Sequence, residues 1–385
     1  MPVEFLSTSA IVLGILGRLL PVFVVMLVVM GASFAFRRRL GLYGQLYDSG
    51  IGIVGVALVL FWLIAAILAP VVAPFDPYVQ VRELQNALPG ALHPATDEAF
   101  LLGGDALGRC VFSRMIWGSR VVMAIAPAAT LFAYAIGITL GLPAGYFGGW
   151  LDTGLTFLAN LVLAFPVILL FYLLVTPEIR QTALPGTMAA VLFAFPLVFV
   201  LVFLAARFRE RPGVLALTAV PAAALGGVVY LGLLGIWDPT GAVAMDANTL
   251  NIFLAVVFVT APTVFRIVRG LTLDIRTRDY VAAAQTRGER PTYIMMWEIL
   301  PNARGPLVVD VCLRIGYTTI LLGTLGFFGL GVAPESPDWG STINDGRRFL
   351  RLFIHPALPP ALALMSLVLG LNLLADALRE QSLKD

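Results

Sequence analysis

Long apolar runs, separated by short breaks rich in charge, proline or glycine, organise this chain from end to end. About 20 apolar residues cross a hydrocarbon core about 30 Å thick as a helix. Runs of that length place spans near residues 11–36, 50–70, 120–142, 155–175, 188–206, 214–236, 251–268, 306–327 and 357–375. The ten-residue alternating strands of a membrane barrel are absent, and lipid offers no partner to open backbone groups. The nine runs therefore predict an all-α polytopic membrane protein. The first is too long for the apolar region of a secretory signal and ends in Arg37-Arg38-Arg39 rather than in small residues, so it predicts a retained helix.

Composition agrees: of 385 residues 59% are hydrophobic and 12% charged, which excludes a water-soluble domain. A net charge of +2 gives no reason to expect nucleic acid as a partner. Cys110 lies in a polar loop and Cys312 in an apolar run, a poor setting for a disulfide, and His93 and His355 are too scattered to suggest a metal site. No metal or cofactor is expected.

Basic residues resist translocation and so orient the spans. With Arg37 to Arg39 in the cytoplasm, 15 of the 25 Lys and Arg fall inside, among them Arg207, Arg209, Arg211, Arg276, Arg278, Arg287, Arg290 and Lys384. Nine fall outside and Arg314 lies within a span, so the bias predicts an outside N-terminus and a cytoplasmic C-terminus. Two long polar segments then lie on different sides: residues 71–119 outside and 269–305 inside.

The inside segment carries the strongest local pattern. Tyr280 to Arg287 is a helix-forming run in which Ala282, Ala283 and Ala284 supply a small, smooth face. Gly288 ends it. Pro291 suits the start of a second short helix, Thr292 to Leu300, with Tyr293, Met296, Trp297 and Leu300 at helical spacing and Pro301 breaking it. Such a hinged pair fits a groove on a partner, and it equally fits an amphipathic hairpin on the lipid surface with Trp297 at headgroup level.

Taken with its surroundings, this segment resembles the cytoplasmic coupling loop of binding-protein-dependent ABC importer permeases, in its dipeptide/oligopeptide/nickel branch. The resemblance rests on Tyr280-Val281, Ala283, Ala284, Gly288, Leu300, Pro301 and Asn302-Ala303. Two positions depart from the family pattern, where a frequent glutamate is Ala282 and an isoleucine is Glu298. Three further stretches resemble the same branch: Leu102 to Arg114, Ala144 to Asp152, and Phe327 to Val332 followed by Pro334, Pro337, Trp339 and Gly340. Together they cover about residues 50–175 and 251–380.

The resemblance implies a type I-like transmembrane core of six helices. Residues 1–49 add an N-terminal transmembrane helix and basic cytoplasmic turn, and 50–119 form the first core helix and outside loop. Residues 120–380 form the permease domain, with an inserted helix pair at 177–250 and the coupling loop at 269–305. It also implies two cytoplasmic ATP-binding subunits, a second homologous permease, a periplasmic solute-binding protein and a peptide-like solute, in the cell inner membrane. The chain has no Gly-x-x-x-x-Gly-Lys-Ser/Thr loop, so ATP hydrolysis is expected on the partners and no covalent chemistry here.

Some residues invite two readings each. Asp310 and Arg314, four apart in one span, either border the translocation path or form a stabilising pair near the interface. Asp105, Arg109 and Arg114 either contact a docked binding protein or order their own loop. The inserted pair either docks a companion subunit or a lipid, or is peripheral. Pro127, Pro166, Pro196, Pro221 and Pro262 lie inside spans as kinks or as tolerated packing features. Two other classes compete with the importer: an ion-coupled secondary transporter, which needs embedded acids or an inverted repeat, and a membrane enzyme, which needs a convergent polar set.

Overall fold

A computed structural model describes residues 4–96, 98–180, 182–239, 241, 245–330 and 335–382. Gly331, Val332 and Pro334 of the late motif, and Lys384, lie outside these residues.

The chain is all-α apart from one two-stranded hairpin, β1 (Ala91–Leu92) and β2 (Ala99–Phe100), among the described residues. Eight helices are long and apolar enough to cross a membrane: α1 (Thr8–Ala35), α2 (Gly50–Ile67), α3 (Val111–Phe147), α6 (Leu184–Phe208), α7 (Pro212–Leu233), α8 (Ala247–Ile275), α10 (Arg304–Phe327) and α12 (Leu358–Ser382). The fourth expected span, 155–175, is instead two helices, α4 (Gly149–Ala164) and α5 (Val167–Val175), bent by 86°. Its cause is local. Pro166 forces Phe165 out of the helical region, to ψ 135°, and the helix stops there. Helices α3, α6, α7 and α8 run without interruption through Pro127, Pro196, Pro221 and Pro262.

Helix α3 is the second departure. It begins nine residues before the expected span, taking in Arg114 and Arg120, and at 37 residues it is about 55 Å long. The polar outer segment therefore ends at Cys110 rather than at Ser119. Two short helices complete the set, α9 (Asp279–Thr286) and α11 (Trp339–Arg347).

The chain divides into two compact units, residues 1–127 with 308–385, and residues 128–307. In the first, α2 packs along α12, and α1 leans on α2. Trp62 anchors this core: its indole donates to Ser366 Oγ at 2.8 Å and stands edge-on to Trp339 at 5.0 Å. The N-terminal segment joins the hairpin, with Leu6 N donating to Gly90 O at 2.9 Å and Phe5 bridging Ala91. Arg18 of α1 pairs with Glu98 at 2.8 Å, and at the far end of the bundle Gln381 donates to the Gln45 carbonyl.

In the second unit α3 and α8 cross closely because Gly137, Gly141 and Gly145 recur every four residues on one face. A Cβ at these positions would stand 2.8, 2.9 and 2.6 Å from the Cβ atoms of Val264, Val268 and Thr272. Phe193 of α6 meets Phe132 and Phe253 at 5.4 and 5.8 Å, which ties α6 to that crossing. Helix α7 is held to α6 by Tyr230, whose hydroxyl donates to Ala190 O at 3.0 Å.

Candidate functional site

The four motif stretches come together in pairs, one pair in each unit. In the unit of residues 128–307, Ala144 to Asp152 meets the 279–302 loop. Tyr146 lies in the last turn of α3, and Gly148 and Gly149 turn the chain at φ +67° and +62°, values that favour glycine. This turn exposes two carbonyls, and Arg276 donates to both, Gly145 O at 2.9 Å and Tyr146 O at 3.1 Å. Arg269 forms a two-pronged ion pair with Asp152, one arm at 2.6 Å. Gln285 reaches the Tyr146 hydroxyl at 3.3 Å. The base of the loop is thus fixed before the loop itself begins.

Within the loop, α9 buries Val281 and Ala284 completely and leaves Tyr280, Ala282 and Ala283 exposed. Of the three alanines, then, two form the free smooth face and the third is the anchor. Gly288 reverses the chain at φ +78° in open space, which any Cβ would strain. Arg287 and Glu298 close the two arms on each other at 3.2 Å. Glu298 therefore has a partner inside the loop.

The second arm differs from the simple helix that its spacing suggests. Residues 291–293 are α-helical, 294–299 widen into a π-turn, and 300–302 resume the α-helix, so Pro301 lies inside the element rather than ending it. Pro301 has no N–H for the carbonyl four residues back, at Trp297, and its ring would crowd that carbonyl. A one-residue bulge relieves both problems. As a result Ile294, Met295, Met296 and Ile299 turn inward, while Tyr293, Trp297 and Leu300 are half-buried. Leu300, Pro301 and Asn302 lead into α10, with the Asn302 amide donating to Glu298 O at 2.6 Å.

In the other unit, Leu102 to Arg114 meets residues 335–345. Asp105 accepts from the backbone N–H of Leu107 and Arg109, both at 2.9 Å, and from the Arg109 side chain at 2.6 Å. Arg109 also reaches Asp345 at 2.9 Å, and Arg114 donates to Ser336 O at 2.8 Å and to Thr342 Oγ1 at 3.2 Å. Asp105, Arg109 and Arg114 are 2%, 2% and 0% exposed. Trp339 donates to Met115 O at 2.8 Å. Asp338 caps α11 by accepting from Ser341 N, and burial pushes its carboxyl up against that hydrogen bond. Asp310 and Arg314 pair within α10 at 2.8 Å, both largely covered.

Comparison with known proteins agrees with this layout. The family described as binding-protein-dependent transport system inner membrane component matches residues 211–382, which include the whole 279–302 loop. A dipeptide transport system permease protein of Haemophilus influenzae is 29% identical over 328 residues, 85% of this chain and 88% of that protein. A dipeptide transport system permease protein of Alkalihalophilus pseudofirmus is 26% identical over 338 residues, 88% and 87% of the two chains. A glutathione transport system permease protein of Pectobacterium atrosepticum is 29% identical over 289 residues, 75% and 74% of the two. The C-terminal part of the chain is thus similar to that family, and most of its length is similar to these permease proteins.

Three features of the chain are outside the reach of sequence motifs. Asp152 and Arg269 are 117 residues apart, and the only sign of their pairing is a charge at each end of an apolar run. The Gly137, Gly141 and Gly145 stripe is readable as small residues at helical spacing. The third is at Trp297, which stacks against Phe203 of α6 at 5.0 Å with the Arg207 guanidinium 4.6 Å from its ring centre. Trp297 is thus engaged by protein rather than standing free at headgroup level.

Proposed function

We propose that this chain is the transmembrane permease subunit of an ATP-binding-cassette importer that moves peptides or peptide-like solutes across the cell inner membrane. The observation that supports this most is the loop at 279–302. Its exposed face is small and smooth at Ala282, Ala283 and Gly288, with Tyr280 beside it, and its base is tied by Arg276 and Arg269 to the turn after α3. A face that a partner can grip, on a mount that cannot slide, converts partner motion into helix motion. The partners are two cytoplasmic ATP-binding subunits, a second homologous permease and a periplasmic solute-binding protein. Helix α1 and the pair α6 and α7 are additions to a six-helix core.

In this reading the buried Asp105, Arg109 and Arg114 serve binding-protein docking indirectly, by holding the outer loop in shape. Asp310 and Arg314 border the path as a closed pair. Solutes named for the relatives, dipeptides and glutathione, suggest the class carried here.

The test is purification of the chain from its native membrane in mild detergent, with mass spectrometry of what accompanies it and an ATPase assay. Ala282→Glu and Ala283→Glu alter only exposed positions and should release the ATPase subunits while the permease stays folded. Ala284→Glu would unpack the loop and cannot serve as that test. A chain that runs alone with no ATPase activity would sink the importer reading in favour of an ion-coupled transporter.

A further inference from the structure

Helix α6 lies in the segment least like the rest of the family pattern, yet it is packed at two levels. At one, Phe193 meets Phe132 of α3 and Phe253 of α8. At the other, Phe203 and Arg207 both reach the indole of Trp297, in the second arm of the loop, at 5.0 and 4.6 Å. Phe203 and Arg207 are four residues apart and so share one face of α6. A guanidinium within about 6 Å of a tryptophan ring centre is attracted by the ring's electron-rich face, and more strongly where water is excluded.

The seat of that contact matters. Trp297 lies within the π-turn, the point at which the arm departs from regular helix, and its buried indole N–H has no acceptor in the protein. No hydrogen bond therefore fixes the ring; its surroundings do. Helix propensity alone holds a widened turn poorly, and Phe203 and Arg207 supply the constraint from outside the loop.

We propose that α6 is a brace for the coupling loop, with Phe203 and Arg207 as positioning residues that hold Trp297 and, through it, the 291–302 arm. Motion of the loop is then passed to α6 as well as to α10, and α6 carries it to the α3–α8 crossing through Phe193. The inserted pair is thereby part of the transport machinery. This role rests on the importer reading; the brace itself does not.

The experiment uses the full chain with its co-purifying subunits in lipid nanodiscs, and compares wild type, Phe203→Ala, Arg207→Ala and Arg207→Lys with Leu217→Ala, a change at an exposed apolar position of α7. Hydrogen–deuterium exchange over residues 291–303 should speed up about tenfold in Phe203→Ala and Arg207→Ala, and less in Arg207→Lys, which keeps the cation. Leu217→Ala should leave it unchanged. Solute transported per ATP hydrolysed should fall severalfold in the first two variants while the ATPase subunits stay bound. Unchanged exchange over 291–303 would overturn the brace, and faster exchange with an unchanged transport-to-ATP ratio would overturn its role in coupling. If no ATPase accompanies the chain, the importer reading fails, and the exchange result still decides the brace.

Discussion

Arg109 illustrates how little a residue's charge says until its burial is known. It is 2% exposed and holds two acids, Asp105 at 2.6 Å and Asp345 at 2.9 Å. Its partners differ in surroundings: Asp105 is as buried as Arg109, and Asp345 is 36% exposed. Removing one member of a buried pair strands the other, at a cost of about 3–5 kcal/mol, whereas a water-screened pair contributes about 1 kcal/mol or less. Arg109→Leu should accordingly lower thermal stability in detergent far more than Asp345→Asn. Equal shifts for both would mean that the backbone N–H groups and Arg114, 3.8 Å away, suffice to hold Asp105.

His355 supplies the pH dependence at the same scale. Its Nε2 lies 3.1 Å from Gly104 O, which calls for a proton on Nε2. Burial holds the imidazole below its ordinary value of 6.5, opposed in part by the Gly104 and Ala87 carbonyls. A group whose pKa is lowered on folding contributes its stability fully above the unfolded value, and that contribution is lost as pH falls through the folded one. Protection of the amides over residues 102–110, taken relative to their intrinsic exchange rates, should therefore fall as pH drops below about 6.5, and His355→Gln, which keeps a donor but cannot charge, should flatten the profile. A profile in the variant as steep as in wild type would assign the effect to another group.

At the scale of the element, Pro301 is the instructive residue. A proline in a helical pattern ordinarily marks an end, and that rule holds at Pro166, where the chain bends by 86°. It fails at Pro301 because the turn before it widens over Ile294–Ile299. Sequence spacing carries no signal for a π-turn, since the extra residue shifts the phase of inward positions within a single turn. This is why Tyr293, Met296, Trp297 and Leu300 were a reasonable stripe to read and Ile294, Met295, Met296 and Ile299 are the buried set. Pro301→Ala restores a donor for the Trp297 carbonyl and removes the reason for the bulge. The turn should then relax to α-helix, rotating one side of the arm by about 100° against the other. The expected reading is faster exchange over 294–303 and slower transport by an intact complex; wild-type values in both would show that the bulge is held by packing rather than by Pro301.

The first arm was far more legible, and the reason is physical. Gly288 is needed at φ +78°, and Val281 with Ala284 follows from three-residue spacing on one helix face. Local rules suffice there. The mount of the loop was not legible, because Arg276 binds carbonyls of residues 145 and 146, and backbone acceptors leave no mark in a sequence. Trp297 was visible, but its partners Phe203 and Arg207 lie some 90 residues away in a helix to which no motif points.

For the whole molecule the question is parity. The hydropathy pattern yields nine runs, yet the fourth is a bent pair that could either cross the membrane or return to the side it came from. Contacts within the unit of residues 1–127 and 308–385 decide between these. Arg114 at the start of α3 binds the carbonyl of Ser336, beyond the end of α10, and His355 before α12 touches Gly104 before α3. The beginning of α3 and the end of α10 thus lie on one side, so the chain between them makes an even number of crossings. Helices α3, α6, α7, α8 and α10 account for five. A crossing by the bent pair would make the sixth, which is the expectation to test. The same unit sets Phe5 beside Ala91 and Gln381 beside Gln45. Single cysteines at Trp150, Glu178 and Gln285, in a background with Cys110 and Cys312 replaced by alanine, test that crossing in intact cells with a membrane-impermeant maleimide. Glu178→Cys should label from outside, and Trp150→Cys and Gln285→Cys only after the membrane is opened. Labelling of Trp150→Cys and Glu178→Cys from the same side would make the bent pair a re-entrant hairpin, since the two positions flank it and nothing else.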